Sequence, residues 1–248
     1  MSSRPDRGPS GGARAREAAR LAAEQAARRR RERRLLVAFL VAVVVLVVGG
    51  GIGVQAWRTN RAPSAPAPGV EVSDAPQQLT DGQPIRLGAE TAPVTVQLYE
   101  DFHCPHCAEF EEEFGPTLTA AQNAGTVRIE LYPMAFIDQG SSAAANAMAC
   151  ATEAGFGQRY YLGLFANHTL QWSDSQLLDL AGTVGGSDAE PFGSCVEDDA
   201  RAGWVTAINT AADANGVKGT PTLFVDGEQV ELQGLTPESL QARIDAKR

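Results

Sequence analysis

Positive charge is scarce over most of this 248-residue chain: eleven of its 21 basic residues lie in residues 1–34, beside four acidic ones. That head carries +7 and the remaining 214 residues carry −16. An acidic body, in a chain of pI near 4.9, argues against a nucleic-acid partner. Cysteine is also sparse. The four, at 104, 107, 150 and 195, leave none near the head for lipid attachment. No internal repeat is visible, and 44% hydrophobic with 21% charged residues excludes a wholly disordered or fibrous chain.

What the sequence does have, directly after the basic head, is a long apolar run. Leu35 to Trp57 is 23 residues without a charge, enough at about 1.5 Å per helical residue to cross a bilayer core of roughly 30 Å. It reads as one transmembrane helix. Arg28, Arg29, Arg30, Arg31, Arg33 and Arg34 crowd its N-terminal flank. The positive-inside rule then places residues 1–34 in the cytoplasm, Trp57 at the far interface and the acidic remainder outside. A cleaved signal peptide competes, because the most apolar part, Leu35–Val48, is 14 residues long. The long basic head, and an A-x-A at Ala65–Ala67 well past the run, speak against cleavage. Gly49 and Gly53 form a weak helix-pairing signal.

Residues 58–82, rich in Pro, Ala and polar side chains, read as a flexible linker. The domain from 83 to 248 is 166 residues, enough for one core. Within it, Val94–Tyr99 predicts a strand, followed by Cys104-Pro105-His106-Cys107 and a helix interrupted or kinked near Gly115-Pro116. Val127–Tyr132 predicts a second strand, and the segment from Ser141 to about Ala214 is helical. Thr222–Val225 lies in a strand that turns at Asp226-Gly227 into a partner, Glu228–Leu232. A last helix starts at Pro237.

This order, with Asp101–Cys107, Gly125–Pro133 and Gly216–Gly227 carrying the likeness, resembles the DsbA family of thiol-disulfide oxidoreductases, in its membrane-anchored actinobacterial type. The resemblance implies an α/β fold: a thioredoxin-like domain with a helical insertion at about 138–214, here preceded by a single transmembrane helix. It implies a cis Pro221 facing the active-site disulfide, with Thr220 pairing to an extended substrate chain. Lys218 and Gly219 border the same groove.

The chemistry explains the motif. A thiolate is the attacking species in disulfide exchange, so Cys104 has to be exposed at a helix N-terminus, where partial positive charge and free N–H groups stabilise it. Cys107, one turn in, resolves mixed disulfides. Pro105 suits the first turn, and His106 offers the thiolate a hydrogen bond or a positive charge. The Pro-His dipeptide is similar to that of strongly oxidising DsbA members, and an outside location agrees with oxidation. With 104–107 favoured by the motif, Cys150 and Cys195 are the complementary pair. Its loop of about 46 residues would add roughly 4 kcal/mol of stability, a structural role rather than a redox relay.

Many thioredoxin-fold enzymes carry a buried carboxylate six residues before the first Cys; this chain has Leu98 there. Asp101 reads as structural, and Glu100 is left open as a substitute. Glu111, Glu112 and Glu113 read as one solvated helix face, and Tyr161 as a packing residue of the insertion.

The expected function is a dithiol oxidase acting on reduced secreted or cell-envelope proteins, reoxidised by a membrane redox partner, with no cofactor of its own. Three alternatives stand beside it: a reductase or isomerase, a non-catalytic peptide-binding module, and a tethered copper or zinc carrier using His103, Cys104, His106 and Cys107. So short a spacing rarely lets four donors converge on one metal.

Overall fold

The apolar run is part of a much longer helix. In the computed structural model, which describes residues 11–66, 74–186 and 191–247, helix α1 spans Gly11–Asn60. The Ala- and Arg-rich stretch before Leu35 consists of strong helix formers, and it continues the apolar helix. Within α1, residues 28–56 are long and apolar enough to cross a membrane, and none of that apolar stretch is covered by protein. Residues 1–10 of the basic head and the side chain of Trp57, assigned above to an interface, lie outside the described residues.

The domain forms a second unit that begins at Trp57. It carries a five-stranded sheet in the order β1-β3-β2-β4-β5, built from β1 (Ile85–Leu87), β2 (Val94–Asp101), β3 (Val127–Met134), β4 (Thr222–Val225) and β5 (Glu228–Val230). β2 and β3 run parallel and every other pairing is antiparallel. Helix α2 (Pro105–Asn123) makes the crossover between β2 and β3, as a parallel pair requires. Of the interruption or kink expected at Gly115-Pro116, the interruption does not occur: α2 runs on as one helix with Pro116 inside it. The insertion supplies α3 (Gln139–Glu153), α4 (Gly157–Ala166), α5 (Asp174–Thr183), α6 (Phe192–Glu197) and α7 (Ala202–Ala214), and α8 (Pro237–Asp245) closes the chain.

Period-two alternation along β2 sorts its neighbours. Leu98 and Glu100 point to the face covered by α2, whereas Tyr99 and Asp101 point to the face covered by α3 and α7. Both faces are buried, which explains the nearly continuous burial of the strand's C-terminal half. Cys150 of α3 is disulfide-bonded to Cys195 of α6.

The segment expected to be a free linker is bonded to the domain at both ends. Ser64 N donates to Asn167 Oδ1 at 2.8 Å, and Asn167 Nδ2 donates back to the Ser64 carbonyl at 2.8 Å. Asp74 accepts from Gln158 N and from Arg159 Nε, each at 2.7 Å. The Gln77 amide pairs with the N–H and C=O of Arg86, satisfying the open edge of β1. The pattern escapes hydropathy analysis because polar side chains and backbone, not apolar residues, make these contacts.

Candidate active site

The parallel pair of β2 and β3 ends at one edge of the sheet, and the chemistry lies just beyond it. Asp101, fully buried at the end of β2, binds three segments: its Oδ1 accepts from His103 N at 2.9 Å and from Ser141 Oγ at 2.6 Å, and its Oδ2 from Phe136 N at 3.2 Å. It therefore fixes the turn that leads to Cys104. His103 is buried beside this turn, with Nδ1 2.6 Å from Asp138 Oδ1 and Nε2 2.7 Å from the Leu170 carbonyl. Both ring nitrogens are thus committed, which removes one of the four donors that a metal site in this segment would need.

Cys104 is the N-cap of α2 and Pro105 its first helical residue, where a missing N–H costs nothing. The Cys104 thiol is lowered to about 5. A hydrogen bond from the Cys107 thiol is the largest cause; Thr220 and the backbone N–H groups of Cys107 and His106 add to it, while burial opposes. Cys107, with no exposed surface, is pushed far up by that burial. One thiol is thus held as an anion and the other as an acid, the asymmetry that exchange chemistry needs.

Two expectations about this pair need correction. Cys104 is only 6% exposed, not open to solvent, because the loop before β4 lies over it: its Sγ is 3.5 Å from the Thr220 carbonyl. The Thr220–Pro221 bond in that loop is cis. Of the two roles expected of the His106 ring, the hydrogen bond to the thiolate is not made, while the positive charge stays available. The ring projects into solvent with Nδ1 3.0 Å from Glu109 Oε2. Glu109 raises the His106 pKa, and the Cys104 charge adds a smaller push. His106 reaches the sulfur with its backbone N–H.

Three further residues border the site: Glu100, left open from sequence as a substitute carboxylate, and Glu111 and Tyr161, which were not assigned to it. Glu100 is fully buried and accepts a 2.6 Å hydrogen bond from the Tyr161 hydroxyl. Burial raises its pKa well above the carboxylate range. It lies two residues after Leu98, and so on the same face of β2, one side-chain step nearer the cysteines. Glu111 is not on a solvated face as expected: it is half-buried against Tyr161, and burial lifts it to about 7. Tyr161, expected only to pack, carries the hydroxyl that donates to Glu100. The period-two step from Leu98 is the signal that favours Glu100 as the substitute carboxylate. Nothing local marks Tyr161, which is 61 residues away.

Comparison with known proteins places this geometry. The structure is similar to the reduced disulfide bond oxidoreductase DsbG from Mycobacterium tuberculosis, at 25% identity over 67% of this chain and 88% of that one, with a TM-score of 0.58. Oxidised DsbA of the same species matches at 25% identity over 66% of this chain and 91% of that one, with a TM-score of 0.57. Among curated proteins, the Na(+)/H(+) antiporter NhaA 3 of Salinispora tropica is 32% identical over 147 residues, which are 57% of this chain and 21% of the antiporter. The chain therefore spans about a fifth of that relative's length. The thioredoxin profile matches residues 80–246, and this chain belongs to the thioredoxin family.

Proposed function

We propose that the chain is a membrane-anchored thiol-disulfide oxidoreductase working outside the cytoplasm, where it oxidises dithiols of secreted or cell-envelope proteins. The observation that carries this reading is the opposed setting of two neighbouring thiols: Cys104 at about 5 and Cys107 pushed far up. Whatever stabilises the Cys104 thiolate favours the reduced enzyme, and so makes its disulfide a stronger oxidant.

In this mechanism a substrate thiolate attacks Sγ of Cys104 in the oxidised pair, and the bond to Cys107 breaks. The substrate chain is held along the Thr220–Pro221 loop, which already lies over the sulfur. A second substrate thiolate attacks the substrate sulfur of the mixed disulfide and expels Cys104 as a thiolate. The substrate loses two electrons and the enzyme leaves reduced, so an oxidant of the membrane quinone class has to restore it. Cys150–Cys195 serves as a structural bridge. The apolar helix within α1 anchors the domain, and the basic flank orients it with the acidic body outside.

The test is refolding of a reduced secreted protein with the oxidised chain in stoichiometric amount. Disulfides appear in the substrate as they disappear from Cys104–Cys107. A chain that leaves the substrate reduced, or a Cys104→Ser variant as active as the parent, contradicts the reading.

A further inference from the structure

A cavity of about 610 Å³ opens in the domain far from the cysteines, and nothing in the exchange mechanism uses it. Cys104 caps the start of α2, whereas Gln122 and Asn123, in its last turn, line the cavity. The 19 residues of the helix, at about 1.5 Å each, set the two places roughly 28 Å apart. The volume suits a small molecule.

Distant parts of the chain build its walls. β1 supplies Arg86, β3 supplies Arg128, the docked segment before the domain supplies Asp74 and Gln78, and the end of α2 and the start of α4 supply Gln122 and Gln158. The last two are buried and paired to each other: Gln122 Nε2 donates to Gln158 Oε1 at 2.8 Å, and Gln158 Nε2 donates back to Gln122 Oε1 at 2.9 Å. Gly88, which follows β1 with φ +97°, lets the chain lie against this pair. A Cβ there would stand 2.8 Å from Gln122 Cγ and 2.9 Å from the Val127 carbonyl oxygen.

Hydrogen-bonding capacity around the cavity is weighted toward donors. Both oxygens of Asp74 are occupied, one by Gln158 N and one by Arg159 Nε. Arg128 donates to the Glu90 carbonyl and to Thr95 Oγ1, each at 3.0 Å, and its Nε is buried without a partner, a costly state for a guanidinium N–H. Arg86 is exposed, and its guanidinium has no partner among the described residues. Gln122 and Gln158 each keep a second N–H. Against these donors stand the exposed Glu90 carboxylate and Glu130 Oε1, 3.6 Å from Arg128 Nη2.

We propose that this cavity binds a small organic anion through its carboxylate, received by the Arg86 guanidinium and the Nε–H of Arg128, with the Gln122–Gln158 pair meeting the polar remainder of the molecule. Planar guanidinium groups match a carboxylate in shape and charge. Glu90 and Glu130 offset part of the arginine charge, which favours one carboxylate over a dianionic phosphate. Because Asp74 and Gln78 form part of the wall, the anion binds while the segment before the domain is docked, and occupancy holds that segment in place.

The test is calorimetric titration of the full chain in detergent at constant ionic strength, with sodium gluconate as a free small acid and triglycine as a peptide carboxylate. Saturable binding of one molecule per chain is expected for at least one of them. Gluconate alone assigns a free acid; triglycine alone, with its C-terminal amide silent, assigns a peptide end. Arg86→Ala is expected to weaken binding about tenfold, and Glu90→Gln to tighten it about two- to fivefold by removing an opposing charge. The opposite signs separate a lost contact from a lost fold. At ten times Kd, protease cutting between residues 74 and 80 should slow about tenfold. The proposal is overturned by the absence of saturable binding, by binding that Arg86→Ala leaves unchanged, by inorganic phosphate binding as tightly as the carboxylates, or by cutting that stays as fast at saturation.

Discussion

Sγ of Cys104 lies 3.5 Å from the carbonyl oxygen of Thr220, 116 residues further along the chain. This contact joins the two halves of the thioredoxin-like domain across the insertion, and it places the reactive sulfur beneath the loop that precedes β4. The same cover keeps the sulfur from water, while the Cys107 thiol, the Thr220 side chain and the backbone N–H groups of Cys107 and His106 stabilise its thiolate.

The stabilisation predicts a reactivity profile. Alkylation of reduced Cys104 should be half-maximal near pH 5, where the thiol titrates. Because the folded pKa is depressed, the favourable contribution is complete above the ordinary thiol range and is lost as pH falls through about 5; at pH 7 it is on the order of 3 kcal/mol. Cys107→Ala removes the largest cause of the shift and should move the midpoint up by roughly one to two pH units. Iodoacetamide kinetics between pH 4 and 9 measure both values.

Gly140 and His103 predict a steric lesion. A Cβ at 140 would stand 2.7 Å from the Gln171 carbonyl and would collide with the His103 ring. Gly140→Ala should cost about 1–3 kcal/mol by overpacking. Gly203→Ala, in α7 with nothing within 4 Å, should be neutral or stabilising by about 0.5 kcal/mol. Urea unfolding of the two variants provides the contrast.

The Cys150–Cys195 bridge closes a separation of 45 residues. The double variant Cys150→Ser, Cys195→Ser should lose about 4 kcal/mol of stability, and its folded fraction should still exchange with glutathione at the parental rate. A folded variant that cannot exchange would instead make the bridge a redox relay.

The docked segment before the domain predicts protection from protease. Asp74 is 9% exposed at its side chain and is paired to Arg159. Asp74→Ala leaves that guanidinium and the Gln158 N–H without their acceptor, at a cost of about 1–3 kcal/mol. Limited proteolysis should cut between residues 61 and 80 faster in the variant than in the parent. Equal rates would mean that the segment is free in both.

Much of this architecture is legible in the sequence because its signals are local. Alternating Val94, Val96 and Leu98 mark β2, Pro105 after Cys104 marks the start of α2, and Asp226-Gly227 marks the β4–β5 turn. β1 escaped because Ile85–Leu87 is three residues long, too short to show a period. The extension of α1 to Gly11 carries no hydropathy signal, because there the helix propensity of Ala and Arg, not apolar periodicity, sets the structure. In the site, Cys104 and Cys107 are marked by spacing and context. Tyr161 is not, since only the packing of the insertion against β2 and α2 brings its hydroxyl to Glu100. The solvent-facing ring of His106 follows from its pairing with Glu109 three residues on, a local alternative that a motif does not weigh.

The most direct measurement is the redox equilibrium of Cys104–Cys107 against glutathione. An oxidising enzyme should lie well above the roughly −270 mV of thioredoxin, toward the roughly −120 mV of DsbA. A value near that of thioredoxin would contradict the account and make the chain a reductant.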